Sequence, residues 1–312
     1  MNRIVHEPVL LKEVLELLQL KPDALYVDGT VGEGGHAVAM LEASSPSGKL
    51  IGLDADPSVL RYTQRRLAPF RGRFQLFNES YDRLDEVFFL ADIDQADAIL
   101  LDLGFSSFQV EDPARGWSFQ QDSPLDMRYD QTQGDTAKDV LNRASKEELV
   151  RILSHYGEER FAKRIASAII EKRAEAEIRT TGELSNLVLG AVPSSALRWR
   201  IHPATRVFQA LRIAVNQELE HLRRFLDNAE RWLAPGGRLA VISYHSLEDR
   251  MVKQSMQDWS RDCICPKSIP QCVCRGKKLF RILTRKPLFP SAEEVASNPR
   301  SRSARLRVAE RL

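Results

Sequence analysis

The apolar tetrapeptide ALYV at 24–27 runs into DGTVGEGGH at 28–36, where four glycines fall within seven residues, and then into HAVAMLEAS, which reads as a helix. Glycine tolerates the backbone of a sharp turn and lets a ligand approach the main chain. A strand that breaks on such a turn and resumes as a helix is the opening unit of an α/β domain. The alternation continues through GKLIGLDAD (48–56), RFQLFNES (73–80) and ADAILLDLG (96–104), each read as a strand. It predicts a parallel sheet covered on both faces. Ahead of it, Pro8 can open a helix through VLLKEVLELL, with Val9, Leu10, Val14, Leu17 and Leu18 on one side.

From Phe105 the pattern changes to a stretch rich in turn formers, SSFQVEDPARGWSFQQDSPLDMRYDQTQGDT, without a clear period. Helices follow. EERFAKRIASAIIEKR places Phe161, Ile165, Ala168 and Ile169 on one face. Pro203 opens what reads as one long helix carrying Phe208, Leu211, Val215, Leu219, Leu222, Leu226 and Ala229, stopped by APGG (234–237). RLAVISYHS then reads as a buried strand, so the α/β pattern resumes. The expectation is a discontinuous α/β domain, residues 1–106 and 203–312, interrupted by a mainly helical insertion at 107–202.

With 43% hydrophobic and 28% charged residues the chain reads as a soluble globular protein. No apolar run approaches the roughly 20 residues of a membrane span, so no membrane partner is expected. The start lacks the features of a secretory signal. All four cysteines cluster between Cys263 and Cys274 and do not staple a secreted framework. A cytoplasmic location is expected.

Gly32 to Ala37 fits the dinucleotide pattern G-x-G-x-x-[GA], and Asp54 lies about 20 residues downstream, where an acid can bind a ribose. An NAD-dependent oxidoreductase is one reading of that pattern. The loop is not a P-loop, since no Lys-Ser or Lys-Thr closes it. Charge separates the remaining ligands. Asp28 and Glu33 flank the turn with no basic residue nearby, which disfavours a pyrophosphate. S-adenosylmethionine has no phosphate, a ribose with two free hydroxyls, and positive sulfonium and ammonium groups. Asp54 could accept from both hydroxyls, and Asp102 would lie near the reacting end at the carboxyl edge of the sheet.

The stretches HEPVLLKEVL, DGTVGEGGH, ILLDLGFSS, ARGWSFQQDSPLDMR, HPATRVFQALRIAVNQEL, SYHSLEDR and NPRSRSARLR, in this order across nearly the whole chain, resemble the ribosomal RNA small subunit methyltransferase H family. The resemblance implies a class I, Rossmann-like fold and S-adenosylmethionine-dependent methylation of N4 of a decoding-centre cytidine in 16S ribosomal RNA. It implies cofactor contacts at Gly34, Gly35, His36, Asp54, Tyr81, Asp102 and Gln109. This sequence departs from the family pattern at Glu33, Ala37 and Phe108. A non-catalytic RNA-binding factor that keeps the cofactor fold is the competing reading, and the intact acids and glycines argue against it.

For catalysis, Asp102 and the Ser106–Ser107 pair are candidate acceptors or positioners, with local turn capping as the alternative for the serines. His245, at the end of the last strand read above, is a candidate base contact or proton acceptor; His202 reads as structural. Basic groups at Arg198 and Arg200, at Arg275, Lys277 and Lys278, and at Arg300, Arg302, Arg305 and Arg307 suit RNA phosphates. Trp117, Phe119 and Tyr129 could stack on a base, or form the core of the insertion. The pairs Cys263/Cys265 and Cys272/Cys274 either hold a structural zinc or are reduced thiols in a loop.

Overall fold

The computed structural model describes residues 8–196, 202–263, 265 and 276–312. In chain order its elements are α1 (Leu11–Leu18), β1 (Leu25–Asp28), α2 (Gly35–Ala43), β2 (Lys49–Leu53), α3 (Pro57–Arg66), β3 (Phe74–Phe77), α4 (Leu84–Ala91) and β4 (Ala96–Asp102). There follow α5 (Ser107–Glu111), α6 (Ala137–Arg143), α7 (Lys146–His155), α8 (Ala162–Glu175), α9 (Thr181–Ala191), α10 (Ala204–Asn216) and α11 (Glu218–Trp232). The chain ends with β5 (Leu233–Ser243), α12 (Ser246–Trp259), β6 (Phe280–Ile282), α13 (Ala292–Ser297) and β7 (Arg305–Arg311).

The chain divides into two compact units, one of residues 1–104 with 220–312 and one of 105–219. In the first, a seven-stranded sheet has the order β3-β2-β1-β4-β5-β7-β6. The strands from β1 to β5 pair in parallel, and β7 runs antiparallel to both β5 and β6. Along β4, Ile99 and Leu101 face α4, α11 and α12, while Ala98 and Leu100 face α1 and α2. Alternation across the pleat thus buries both faces of the sheet. This is the class I Rossmann-like arrangement expected. Strand order reverses between β1 and β4, so a ligand crevice forms beyond their carboxyl ends.

The second unit is helical. Its core joins Ile165, Ala166 and Ile169 of α8, Leu184 and Val188 of α9, and Val207, Phe208 and Leu211 of α10. Ala168 is only half-buried and lines a shallow surface hollow with Lys163 and Arg164, so the packed face of α8 is Ala162, Ile165, Ala166 and Ile169.

The single long helix after Pro203 is two helices. Gln217 adopts a left-handed conformation, φ 49°, between α10 and α11. Beside the break the Asn216 amide nitrogen donates to the Met127 carbonyl at 2.7 Å, and its oxygen accepts from the Tyr129 backbone at 2.8 Å. α10 packs into the helical core, which moves the unit boundary from the expected 202/203 to 219/220. APGG also does not lie outside the last parallel strand. It forms a bulge within β5, where Ala96 pairs with Leu233 and Ala98 with Arg238, and Gly236 supplies φ 80°.

Candidate active site

The ends of β1 to β5 supply the site. β1 ends on Asp28 and passes into the glycine turn, where Gly32 and Gly34 take φ 49° and 79°. The turn closes by the Gly34 N–H donating to the Val31 carbonyl at 2.8 Å. Gly34 then caps α2 at its N-terminus. A side chain at Gly35 would press on the Pro8 ring at 3.3 Å, so that glycine serves close packing.

The acids the sequence singled out are brought together here. Asp54, just after β2, accepts from the Gly32 N–H through Oδ2 and from the Asp56 N–H through Oδ1, both at 2.9 Å. It therefore holds the glycine turn through both carboxylate oxygens. Asp102, at the end of β4, accepts from the Tyr244 hydroxyl at 2.8 Å, and its backbone N–H donates to Thr30 Oγ1 at 2.6 Å. Its other carboxylate oxygen lies 3.7 Å from His36 Nδ1. Thr30 and Tyr244 are site residues that sequence reasoning missed; both sit inside quoted motifs, DGT and SYH, next to residues that drew the attention.

His36 is buried and its Nε2 lies 3.0 Å from the Val9 carbonyl. Burial pushes its pKa down to about 4, so the ring is neutral near pH 7, with Nε2–H donating to Val9. The side chain thus anchors the segment before α1, and a cofactor would meet this residue through its backbone. Asp28 is 1% exposed. Burial first, and then the neighbouring Asp102 and Asp54 charges, push its carboxyl up to about 8 against a hydrogen bond from the Thr30 N–H. Tyr81 follows β3 and packs its ring edge-on to Phe225, with centroids 5.8 Å apart.

These shifts predict a pH dependence of stability. Between about pH 4 and 8 the folded state keeps a proton on Asp28 that the unfolded chain has lost, so Asp28 makes stability fall as pH rises. His36 acts oppositely between 6.5 and about 4, because only the unfolded chain takes up its proton there. From pH 6.5 to 8 Asp28 acts alone and removes about 2 kcal/mol. Urea unfolding at both pH values should show that loss in the wild type and its absence in Asp28→Asn.

His245 is the N-cap of α12. Its Nδ1 accepts from the Glu248 N–H at 3.4 Å, and Glu248 Oε2 accepts from the His245 N–H at 3.2 Å, which completes a capping box. Nε2 lies 3.1 Å from Glu248 Oε1 but makes no hydrogen bond among the described residues. Capping accounts for this residue's placement, and accepting at Nδ1 leaves Nε2 as the protonated nitrogen.

In the helical unit Ser106 and Gln109 form the capping box of α5. Ser106 Oγ accepts from the Gln109 N–H at 3.3 Å and Gln109 Oε1 from the Ser106 N–H at 2.9 Å. The capping alternative holds for Ser106. Phe119 stacks on His202 at 4.7 Å and meets Phe208 at 5.0 Å, while Trp117 meets Tyr129 at 5.2 Å. His202 Nδ1 also accepts from the Ala204 N–H at 3.2 Å, in keeping with a structural role.

Arg307, expected at phosphates, is buried in an ion pair instead, while Arg305 shares its acid and stays part-exposed. Arg307 is 7% exposed and donates through Nε to Asp249 Oδ1 at 2.7 Å, and Arg305 reaches Asp249 Oδ2 at 3.2 Å. Both lie in β7, where antiparallel pairing with β5 places them over α12. Arg300, Arg302 and Lys277 are exposed. Arg198, Arg200 and Arg275 lie outside the described residues, as do Cys272 and Cys274; Cys263 is exposed and Cys265 half-buried. No helix among the described residues is long and apolar enough to cross a membrane.

The family model described as the MraW methylase family matches residues 3–312. The ribosomal RNA small subunit methyltransferase H of Geotalea uraniireducens (strain Rf4) is 49% identical over 312 residues, covering 100% of both chains. The protein of that name from Syntrophotalea carbinolica is 51% identical over 307 residues, 98% of each chain. The one from Symbiobacterium thermophilum is 48% identical over 307 residues, 98% of this chain and 96% of its own.

Proposed function

This chain belongs to the MraW methylase family, and on that footing we propose that it moves a methyl group from S-adenosylmethionine to N4 of a cytidine in the decoding centre of 16S ribosomal RNA. The substrate is the small ribosomal subunit or a late precursor of it. The names of its relatives support a ribosomal RNA target.

The observation that carries the reading is the convergence of Asp28, Asp54 and Asp102 on one glycine turn, close enough that the latter two raise the Asp28 pKa. Near pH 7 Asp28 holds its proton, and the neighbouring Asp54 and Asp102 charges are what repel a pyrophosphate and attract a ligand with two positive groups and a ribose diol. When bound, S-adenosylmethionine supplies a methyl group already activated on a sulfonium. Asp54, which holds the glycine turn through both carboxylate oxygens, would accept from the ribose hydroxyls. Gly34, Gly35 and His36 would present their backbone, Tyr81 would flank the adenine, and Gln109 completes the set carried over by resemblance.

The chain's own chemical task is modest. A cytosine N4 lone pair is delocalised into the ring, so alignment and an acceptor for the amine's proton matter most. Asp102, at the carboxyl edge of β4, is the acceptor we assign. His245 is carried over as the candidate base contact, a role that requires its Nε2, buried beside Glu248, to be uncovered when RNA binds. The target base must leave any stack, which loop RNA makes cheaper.

The test is methyl transfer by the purified protein. Labelled methyl groups should accumulate on unmodified small subunits and hardly at all on free cytidine. Equal turnover of the nucleoside would contradict a large structured substrate. A structural zinc on Cys263, Cys265, Cys272 and Cys274 is a further part of this reading, supported by the Cys-x-Cys spacing. Metal analysis of protein purified without chelator should then find about one zinc per chain, lost when the cysteines become serine; zinc-free, fully thiol-reactive protein would remove it.

A further inference from the structure

We propose that Tyr244 is a positioning residue for methyl transfer, fixing both the Asp102 carboxylate and the loop that leaves β4. The inference rests on the assignment of Asp102 to the cofactor site made above.

Three contacts carry it. The Tyr244 hydroxyl donates to Asp102 Oδ1 at 2.8 Å. An aspartate side chain has two rotatable bonds, and a held oxygen sets the second. The other oxygen faces His36 Nδ1 at 3.7 Å, and His36 is itself anchored on Val9 at 3.0 Å. The carboxylate is therefore held from one side and walled on the other. Next, the Tyr244 ring lies along the main chain of Gly104, where a Cβ would sit 3.4 Å from ring atom Cδ2. Gly104 has φ 107°, a conformation that favours glycine, so the ring braces the turn that follows Asp102.

Tyr244 is in turn held. Its N–H donates to Glu248 Oε2 at 2.8 Å, the oxygen that also accepts from the His245 N–H. The capping box of α12 thus fixes the segment leaving β5, and Tyr244 passes that rigidity across to the end of β4. Burial and the adjacent Asp102 charge raise the tyrosine pKa well above its ordinary value, which keeps the hydroxyl a donor across the working pH range. A proton-accepting carboxylate whose support is built this way is more precisely placed than one on a loop alone.

A tyrosine that merely fills space predicts no link to Asp102, and a double-mutant cycle separates the two cases. Tyr244→Phe keeps the ring and removes only the hydroxyl. S-adenosylmethionine affinity by calorimetry and kcat on small subunits would be measured for wild type, Tyr244→Phe, Asp102→Ala and the double variant, with circular dichroism to verify folding. Tyr244→Phe should weaken binding about five- to thirtyfold, and in the Asp102→Ala background, where the hydroxyl has lost its acceptor, it should add less than about twofold. Wild-type affinity and kcat in Tyr244→Phe, or fully multiplicative effects in the double variant, would overturn the proposal. Wild-type affinity in Asp102→Ala would instead remove Asp102 from the cofactor site, and the inference with it. If Tyr244→Phe proves unfolded, Gly104→Ala, which strains the φ 107° turn that the ring lies against, should show the same loss of affinity and the same non-additivity; independence from Asp102 there would sink the idea.

Discussion

Asp54→Ala should bind S-adenosylmethionine about ten- to a hundredfold more weakly than the wild type, the cost of losing charge-assisted hydrogen bonds worth about 1.5–3 kcal/mol. Two losses add. The ribose hydroxyls lose their acceptor, and the Gly32 and Asp56 N–H groups lose the carboxylate that orders the turn at 2.9 Å. Asp54→Asn separates them, since one amide oxygen can still accept from the turn while the charge is gone. Calorimetry should rank wild type, Asn and Ala in that order. Unchanged affinity in folded Asp54→Ala would take Asp54 out of the site.

A second large effect is expected in the helical unit. Arg212 and Glu218 form a two-pronged pair, Nε and one terminal nitrogen each 2.8 Å from a carboxylate oxygen, and both residues are 9% exposed. The guanidinium also lies 4.9 Å from the Phe105 ring centroid. Arg212→Ala removes the guanidinium that neutralises the buried Glu218, leaving the charge with weaker donors such as the Tyr129 hydroxyl at 3.4 Å, and should destabilise the unit by about 3–5 kcal/mol. Replacing both residues with apolar ones of similar volume, Arg212→Met with Glu218→Leu, should restore most of that, because a buried pair offsets little more than its own desolvation. Amide hydrogen exchange in α9 and α10 reads this unit directly. Equal protection in wild type and Arg212→Ala would show that the pair contributes nothing.

How far the sequence alone reached depends on where each signal lay. The parallel strands were legible because their apolar runs and turn residues are local. So were Asp54 and Asp102, each at a strand end with a chemical reason for an acid. β7 was not. RLRVAER reads as a basic tail, and only its pairing with β5, some 70 residues earlier, reveals that Leu306 and Val308 are core and that Arg307 answers Asp249. The break at Gln217 was hidden because apolar spacing continues through it from Val215 to Leu219 and Leu222. The contacts beside it come from Met127 and Tyr129, far away in the chain. Tyr244 escaped notice for a related reason. A tyrosine next to a histidine draws no chemical expectation until a carboxylate is found 2.8 Å from its hydroxyl.

The central claim is that the site of Asp28, Asp54 and Asp102 serves methyl transfer to a cytidine N4 in small-subunit RNA. Its most direct test is to incubate small subunits lacking the modification with the protein and methyl-labelled S-adenosylmethionine, then digest the RNA to nucleosides for mass spectrometry. The account predicts label in N4-methylcytidine, confined to the decoding-centre fragment of 16S RNA and absent with Asp102→Asn. Label on another base or on a ring carbon, or none from folded, cofactor-binding protein, would contradict it.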